Sequence, residues 1–548
     1  MQSFLIKFKK TCFQLSLQKK VVAVISFSLL LIGLVLLLRN FYWKITAVQP
    51  EEGGILQFGL IGHPLYINPV LSSNNDCDQD ISELIYDGLY AIDGKGNLIP
   101  RLAEKTEVSP DRKTYTVFLK DDILWHDGVK FSADDVVYTV ETIQDPAINS
   151  PFRLKWSGVT VEKIGSGIIR FHLSNSYEPF LQNLTFKIIP KHIWQDILTN
   201  NFPTTEYNLK PIGTGPYLFD NFEKTNEGYI IRYSLVGNKN YFQGVPKIDR
   251  LIFHFFNSYP EMKEAFFQGK INGFAPLLLE DADFFANKRN YQVQQLELPR
   301  YFAVFFNLNK KIFIKEVREA LDLAISRPDL IENVLNNQAL GLTDPISPNF
   351  WANIDEDNNY SPDKARSLLA KETTDSSPLH FTLTLPNDPQ LVKVASFLKK
   401  SWEEIDVEIE LQILPRSVLE KDIIPNRSYD ALLFGEMIGQ DPDLFSFWHS
   451  SQTASPGLNL SAYRNKELDK LIEETRQISD IKQREKNIIQ IQKILQADKP
   501  ALFLYNPFFL SVLPKQIKGN NIRIANLPQE QWEDIKDWYL YTQRYFHF

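Results

Sequence analysis

"LIYDGLYAIDGKGNLIPRLAEKTEVSPDRKTYTVFLKDDILWHDGVKFSADDVVYTVETI" (residues 84–143) contains the clearest structural signals of this chain. Within it, "TYTVFLK" at 114–120 has the alternation of a half-buried strand, and the Asp-Gly pair at 127–128 predicts a tight turn. Ser132 with Asp135 three residues later predicts a helix start, because the two side chains can complete a capping box. A strand, a turn and a capped helix are therefore expected in direct succession.

The same mixture of strand and helix signals continues along the chain. Ser361 with Pro362 at the first helical position, and Asn465 before "KELDKLIEETRQ", predict two further helix starts. Strands and helices interspersed over this length indicate an α/β protein of more than one lobe. Further strands are predicted at 53–61, 167–173, 250–256 and 301–309.

The composition is that of an ordinary folded protein. The chain has 548 residues, of which 44% are hydrophobic and 23% are charged. This length predicts two or three domains or subdomains. The net charge is −8 and the basic residues are spread along the sequence, so no basic stripe for phosphates is present. We therefore expect no nucleic-acid partner.

The N-terminal apolar run "VVAVISFSLLLIGLVLLL" (21–38) predicts a transmembrane anchor, because it has 18 residues without a charge. More lysines precede it than basic residues follow it, which places residues 1–20 in the cytoplasm and the C-terminal part outside. A cleaved signal peptide is the alternative, although the flank behind the run is bulky and charged rather than small. Residues 39–53 are predicted to be a linker. Cys12 and Cys77 then lie on opposite sides of the membrane, which excludes a disulfide between them.

No arrangement of residues predicts catalysis or metal binding. The eight histidines are scattered singly, without an HExxH or HxH pattern. "GTGPY" at 213–217 has neither the third glycine of a dinucleotide loop nor the lysine of a phosphate loop, and it is expected to be a tight turn. For Trp125 and His126 we expect packing at a corner rather than ligand contact. We predict no catalytic residue, no metal site, no cofactor and no enzymatic activity.

The segment 84–143 resembles the signature region of the extracellular solute-binding proteins of family 5, the oligopeptide, dipeptide and nickel binders of ABC importers. The resemblance spans roughly residues 55 to 515 and follows one order along the chain. The other stretches that resemble the family are "PIGTGPYLF" (211–219), "NKNYFQGVPKIDRLIFHFF" (238–256), "FNLNKKIFIKEVREALDLAISRPDLI" (306–331), "YSPDKARSLLA" (360–370), "DPDLFSFWHSSQ" (441–452), "LNLSAYRNKELDKLIEETR" (458–476) and "ALFLYNPFFL" (501–510).

The resemblance implies an α/β, bilobal, periplasmic-binding-protein-like fold of type II, in its large three-subdomain variety, behind a single N-terminal transmembrane helix. The ligand would lie between the lobes, with hinge segments near 301–309 and 499–509. A ligand would shift the population from the open to the closed state by no more than the difference between its affinities for the two states. The implied parts are lobe I (54–78, 207–300 and 511–548), its extra subdomain (79–206) and lobe II (301–510).

The resemblance also implies the function of an extracytoplasmic substrate-binding component of an ABC importer, held at the cell membrane by its N-terminal helix. Such a protein is a monomer that captures an oligopeptide-like ligand by hinge closure and delivers it to permease subunits and their ATPases. Two alternatives remain open. The ligand is a non-peptide solute, such as a metal chelate or a sugar, or the fold is reused by a peptidase or a sensor.

In peptide-binding members of the family, an aspartate four residues before a proline pairs with the peptide's ammonium group, and counting back from Pro442 leads to Ile438. Three interpretations remain open. Glu436 or Asp441 takes over this role, the ligand is bound by its middle with its terminus in water, or the ligand is not a peptide. Other candidates implied by the order of motifs, with a polar loop or core packing as the alternative, are Ser72, Ser73, Asn74, Tyr301, Trp351, Gly435 and Met437.

Overall fold

The computed structural model describes residues 16–72, 75–351, 360–372, 379–439 and 441–546. The α-helices of nine or more residues among them are Leu17–Ile45, Asp76–Ile85, Ala133–Gln144, Tyr259–Phe267, Lys315–Leu323, Pro362–Glu372, Pro389–Glu403, Lys466–Thr475 and Ile481–Asp498. Shorter helical turns are Arg153–Trp156, Phe180–Asn183, Lys191–Trp194, Thr199–Asn201, Glu206–Asn208, Leu279–Asp281, Ala282–Ala286, Arg327–Asp329, Leu330–Val334, Arg416–Val418, Leu419–Ile423, Ile424–Asn426, Phe445–Trp448, Ser450–Gln452, Pro528–Trp532 and Ile535–Asp537.

Two large mixed sheets contain most of the strands. The chain passes from the first sheet to the second at 297–299 and returns at Phe508, close to the two predicted hinge segments. The seven strands of the first sheet are, in order, Tyr291–Leu296, Phe509–Pro514, Gly273–Phe274, Ile55–Ile61, Arg250–Phe256, Ile230–Gly237 and Tyr217–Lys224. The six strands of the second sheet are, in order, Ala339–Gly341, Ala501–Pro507, Arg300–Phe306, Ala431–Met437, His380–Pro386 and Glu408–Leu414.

Two smaller sheets lie beside the seven-stranded sheet. One buried cluster joins them to it, since Phe58 and Phe253 of the large sheet belong to the same core as Tyr115 and Phe171. The four-stranded sheet has the order Ala103–Val108, Thr114–Leu119, Ile168–Leu173 and Val159–Gly165, and the two-stranded sheet pairs Tyr90–Ile92 with Leu98–Pro100.

The six-stranded sheet has a core on each face. Along strand Arg300–Phe306 the side chains alternate between them, as a strand requires. Val304 and Phe306 face one core, whereas Tyr301 and Phe305 face the other. The helices over the first core are Lys315–Leu323 and Pro389–Glu403, and those over the second are Lys466–Thr475 and Ile481–Asp498.

The local signals of segment 84–143 are confirmed. The predicted strand is Thr114–Leu119, and the predicted helix is Ala133–Gln144. The backbone N–H of Ser132 donates to the Asp135 carboxylate at 2.8 Å, which is half of the predicted capping box. The other two helix starts are also confirmed, since the helices begin directly after Ser361 and Asn465.

The corner that follows the strand joins two of the family-like stretches. Trp125 is buried, and His126 accepts a hydrogen bond from the N–H of Gly213 (3.2 Å) and donates one to the carbonyl of Gly215 (3.0 Å). Burial lowers the pKa of His126 to about 4, so the ring is neutral. A Cβ on Gly213 would lie 1.8 Å from the carbonyl oxygen of Ile85, so only glycine fits there. Packing at this corner is therefore confirmed.

The N-terminal helix, Leu17–Ile45, projects from the folded body. Its apolar part, Val24–Ile45, is long enough to cross a membrane and is not buried against the described residues. The predicted linker 39–53 is partly regular structure, because the helix extends through it and strand Thr46–Glu51 follows. This strand pairs antiparallel with Tyr541–Phe546, so its partner comes from the other end of the chain.

The Arg544 side chain holds the base of this two-stranded ribbon against the end of the helix. Its guanidinium lies 3.6 Å from the centre of the Trp43 ring and donates to the Thr46 hydroxyl at 2.8 Å. Of the two cysteines, Cys77 is buried and its thiol donates to the carbonyl of Ile61 at 3.3 Å. Burial raises the pKa of the Cys77 thiol, which makes it unreactive. Cys12 lies outside the described residues.

Candidate functional site

A cavity of about 1120 Å³ lies between the end of a strand of the six-stranded sheet and residues in and around the four-stranded sheet. Its lining residues within 154–185 form the subdomain wall, and those within 437–477 form the strand-end wall. Residues at 526–530 complete the lining. The volume exceeds the ~300–1,000 Å³ that is typical of small-molecule sites. The cavity is therefore large enough for a ligand of several residues.

The strand-end wall begins where strand Ala431–Met437 runs out of the sheet. Met437 borders the cavity with 39% of its surface exposed. Ile438 is nearly buried, and Gly439 then turns the chain with a φ of 79°, a left-handed value that favours glycine. The turn places the carboxylate of Asp441 at the cavity.

The two aspartates of this wall already have cationic partners. Asp441 forms an ion pair with Arg484, and both side chains are largely buried, at 12% and 7% exposure. Burial raises the pKa of the Asp441 carboxyl, and Arg484 opposes this shift. The Oδ2 atom of Asp443 lies 3.2 Å from the Nε of Arg476. Both carboxylates are thus already balanced by arginines of the protein.

The two walls touch at one edge of the cavity. The hydroxyl of Tyr177, on the subdomain wall, donates to Asp443 at 3.3 Å, and the N–H of Glu178 donates to the carbonyl of Arg476 at 3.1 Å. The Arg476 guanidinium also packs over the rings of Phe445 (4.5 Å) and Tyr177 (5.3 Å). These contacts join the subdomain wall to the strand-end wall.

Behind the strand-end wall, Tyr301 and Glu436 form a buried pair. They are directly opposite each other in neighbouring antiparallel strands, and the Tyr301 hydroxyl donates to the Glu436 carboxylate. Only 8% of Glu436 is exposed, and its Oε1 has no hydrogen-bond partner among the described residues. Burial raises the pKa of Glu436 to about 8, although the Tyr301 hydrogen bond opposes this shift. This carboxyl belongs to the core.

The predicted site residues are divided between the cavity and the protein interior. Met437, Ile438 and Asp441 border the cavity. Tyr301 and Glu436 lie in the core of the six-stranded sheet.

Gly435 lies in the strand itself, where a Cβ would approach the ring of Phe302 to 2.8 Å. Trp351 packs against the Arg484 guanidinium, 5.2 Å from its ring centre. Ser72 is buried and borders a second, smaller cavity. Ser73 and Asn74 lie outside the described residues.

The subdomain wall and the arginines that pair with the strand-end wall were not predicted from the sequence. The wall contains Ser174, Asn175, Ser176 and Tyr177, a polar run that ends in an aromatic residue directly after strand Ile168–Leu173. That pattern is the only sequence signal for it. Among the described residues, no group of three or more His, Cys, Asp or Glu side chains is placed to hold a metal ion.

Comparison with known proteins gives consistent results. A family model described as "Bacterial extracellular solute-binding proteins, family 5 Middle" matches residues 97–457. The oligopeptide-binding protein AppA of Bacillus subtilis (strain 168) is 30% identical over 524 residues, which cover 91% of this chain and 93% of that protein. Its structure in complex with a nonapeptide is similar with a TM-score of 0.70 at 27% identity, covering 90% of this chain and 100% of that chain.

A second solved structure, NikZ from Campylobacter jejuni in complex with Ni(L-His), has a TM-score of 0.71 and 26% identity to this chain. The match covers 88% of this chain and 99% of the NikZ chain. The two structures share the bilobal α/β fold of periplasmic binding proteins, which is the fold of the chain described here. The chain therefore belongs to the bacterial extracellular solute-binding proteins of family 5, the substrate-binding proteins of ABC transporters for peptides or related ligands.

Proposed function

We propose that this chain is the membrane-anchored, extracytoplasmic binding component of an ABC importer, and that it captures oligopeptide-like ligands and delivers them to a permease. The main supporting observation is the cavity of about 1120 Å³ between walls that belong to different sheets. The proposal retains the predicted boundaries, with the seven-stranded sheet in lobe I, 79–206 as its extra subdomain and 301–510 as lobe II. The crossings at 297–299 and Phe508 are the proposed hinge.

The ligand is proposed to be bound by its middle, with its ammonium end in water. Asp441 is paired with Arg484, and Glu436 is buried beneath Tyr301, so neither replaces the missing aspartate at position 438. An extended peptide can instead hydrogen-bond through its backbone, which gives affinity with little dependence on side chains. This mode suits a binder of many sequences. A binding role rather than a catalytic one is supported by the named relatives, which are binding proteins.

The anchor is proposed from the exposed apolar helix that contains Val24–Ile45. The lysines before it favour a cytoplasmic N-terminus, and the folded body would then stand on the outer side as a monomer. Intact-mass measurement of the membrane-extracted protein tests this proposal. Retention of residues 1–45 supports an anchor, whereas a mature chain that begins behind the apolar run would show a cleaved signal peptide.

The ligand is tested by native mass spectrometry of the full-length chain, purified in detergent without added ligand. We expect a series of co-purified peptides of similar length. A single non-peptide mass, such as a nickel chelate of the kind bound by NikZ, would overturn the peptide proposal and support the alternative ligand class.

A matched pair of variants tests whether the cavity is the site. Met437→Arg should reduce the bound peptide at least tenfold, because it places a cation and extra volume into the cavity. Ile231→Arg is the control, since this strand residue of the seven-stranded sheet has the same 39% exposure. Equal loss of ligand in both variants would contradict the assignment of the site.

A further inference from the structure

The charged side chains around the cavity differ in whether the protein neutralises them. Asp441 and Asp443 on the strand-end wall are paired with arginines. Glu473 has 60% of its side chain exposed to solvent and lies 3.3 Å from the imidazole of His449. Lys155, on the subdomain wall, forms no ion pair or side-chain hydrogen bond within the described part of the chain, and the residue is exposed and borders the cavity.

Lys155 stands on a rigid base. It belongs to the helical turn Arg153–Trp156, and Trp156 fixes this turn by packing its buried ring near those of Phe171 (6.1 Å) and Phe180 (6.2 Å). The backbone position of Lys155 is therefore set by the core, while the residue itself borders the cavity. The surrounding protein also desolvates the ammonium group and lowers the pKa of Lys155. No carboxylate nearby offsets this cost.

Lys155 also marks the junction of two cavities. The second cavity, of about 350 Å³, extends from the first toward helix Asp76–Ile85 and the C-terminal segment. The lining residues that both cavities share are Lys155, Gln182, Asn183, Thr185, Leu527 and Glu530. A ligand that extends along the first cavity therefore passes Lys155 before its last side chain enters the second.

The other charged side chains that line the second cavity either have a partner of opposite charge or are less ionised because they are buried. Glu83 pairs with Lys187 at 2.5 Å, and Glu533 pairs with Arg101. The carboxylate of Glu530 accepts a hydrogen bond from the N–H of Asn526 at 2.7 Å, and burial raises its pKa to about 7. Lys155 is thus the cation at this junction that a ligand can still complement.

We propose, resting on the proposed capture of peptide-like ligands, that Lys155 binds the ligand's terminal carboxylate at the junction of the two cavities. The ligand then lies with its carboxylate end on the subdomain wall, its backbone along the strand-end wall and its ammonium end toward solvent. A carboxylate that meets an ammonium group in a partly desolvated cleft forms a charge-assisted hydrogen bond, which is stronger than a neutral one. The cleft is therefore selective for the acidic end of its ligand.

The test compares pools of random peptides, two to nine residues long, as free acids and as C-terminal amides. Binding to the full-length chain in detergent is measured by competition with the co-purified peptides. The wild type should prefer free acids by about tenfold, the value of one charge-assisted hydrogen bond. Lys155→Gln should abolish this preference, and Lys155→Arg should keep most of it. Arg153→Gln is the control, because Arg153 belongs to the same turn but donates to the carbonyl of Gln144.

The outcomes separate this proposal from the function on which it rests. If the wild type binds neither pool, the proposed peptide function fails and the carboxylate site fails with it. If both pools bind the wild type equally, or if Lys155→Gln still prefers free acids, peptide capture stands and the role of Lys155 is overturned. Unchanged melting temperatures show that the variants are folded, which we expect because the Lys155 side chain is exposed.

Discussion

The two walls line the same cavity but differ in charge pairing. The aspartates of the strand-end wall have cationic partners within the protein, whereas the lysine of the subdomain wall has no anionic partner among the described residues. On the strand-end wall, Asp441 and Asp443 are each paired with an arginine. On the subdomain wall, Lys155 is left for the ligand. A wall with paired charges is costly to disturb and adds little selectivity for charged ligands, whereas an unpaired cation can select for anionic groups but carries a desolvation cost that no protein carboxylate offsets. Stability and specificity thus depend on different walls of the cavity.

The largest effect is expected from breaking the pairing on the strand-end wall. Arg484→Met leaves the buried Asp441 without its cation, and we expect it to lower the free energy of unfolding by about 3–5 kcal/mol. Denaturant unfolding measures this loss. Arg416→Met is the control, because Arg416 pairs with Glu420 on the surface with 75% of its side chain exposed, and its loss should cost about 1 kcal/mol or less.

The pairing itself is tested by the double variant Arg484→Met with Asp441→Leu. Removal of both charges leaves no unpaired group, so most of the lost stability should return. If Arg484→Met is no more harmful than Arg416→Met, the strand-end wall does not depend on this ion pair and the contrast between the walls disappears.

A smaller, pH-dependent effect on stability is expected from Glu436, which is buried behind the strand-end wall. Burial raises the pKa of Glu436 to about 8 in the folded protein from 4.5, so the folded state holds a proton that the unfolded state has lost between these values. The stability contributed by this proton is complete below pH 4.5 and is lost as the pH rises through 8. Glu436→Gln should therefore reduce the loss of stability between pH 5 and pH 8, by about 1–3 kcal/mol.

Unfolding free energies at pH 5 and pH 8 check this prediction against Glu410→Gln, an exposed substitution in the same sheet. Burial also raises the pKa of Asp78 to about 6 and of Asp80 to about 7, so both groups likewise lower the stability of the wild type as the pH rises. The quantity to compare is therefore the difference in pH-dependent stability between each variant and the wild type. An identical pH profile in Glu436→Gln and the wild type would show that Glu436 is not a buried core carboxyl.

The smallest effect is expected where the two walls meet. Tyr177→Phe removes the hydrogen bond to Asp443 that joins them, which should weaken closure by about 1 kcal/mol and speed ligand release severalfold. The dissociation rate of co-purified ligand measures this change, and Tyr229→Phe, an exposed tyrosine on the seven-stranded sheet's side, is the control. Unchanged release from Tyr177→Phe would mean that the contact does not hold the lobes together.

The fold class was predicted from the family resemblance and is confirmed, whereas what the residue patterns alone predicted was mostly local. The capping residues Ser132, Ser361 and Asn465 mark helix starts because they act within one turn of chain. The pairing of Thr46–Glu51 with Tyr541–Phe546 could not be predicted, because nothing in either segment identifies a partner at the opposite end of the chain.

The candidate site shows the same limit more sharply. Glu436 and Met437 are neighbours in one strand, yet one faces the core and the other the cavity, because successive side chains of a strand point to opposite faces. The family's motif order places both near the cleft but does not fix which face each one takes. The role of Asp441 likewise depends on Arg484, a helical residue whose approach only the tertiary fold reveals.

The ribbon of Thr46–Glu51 and Tyr541–Phe546, locked by Arg544 on Trp43, bears on how the protein would meet its transporter. A flexible tether would let the folded body adopt many orientations relative to the membrane. Most collisions with a permease would then present a surface of the body that the permease does not bind. A paired stalk fixes the tilt of the body to that of the N-terminal helix. In the proposed anchored form, the protein diffuses in the plane of the membrane until it meets a permease. Only its rotation about the membrane normal then has to be correct for the two proteins to bind.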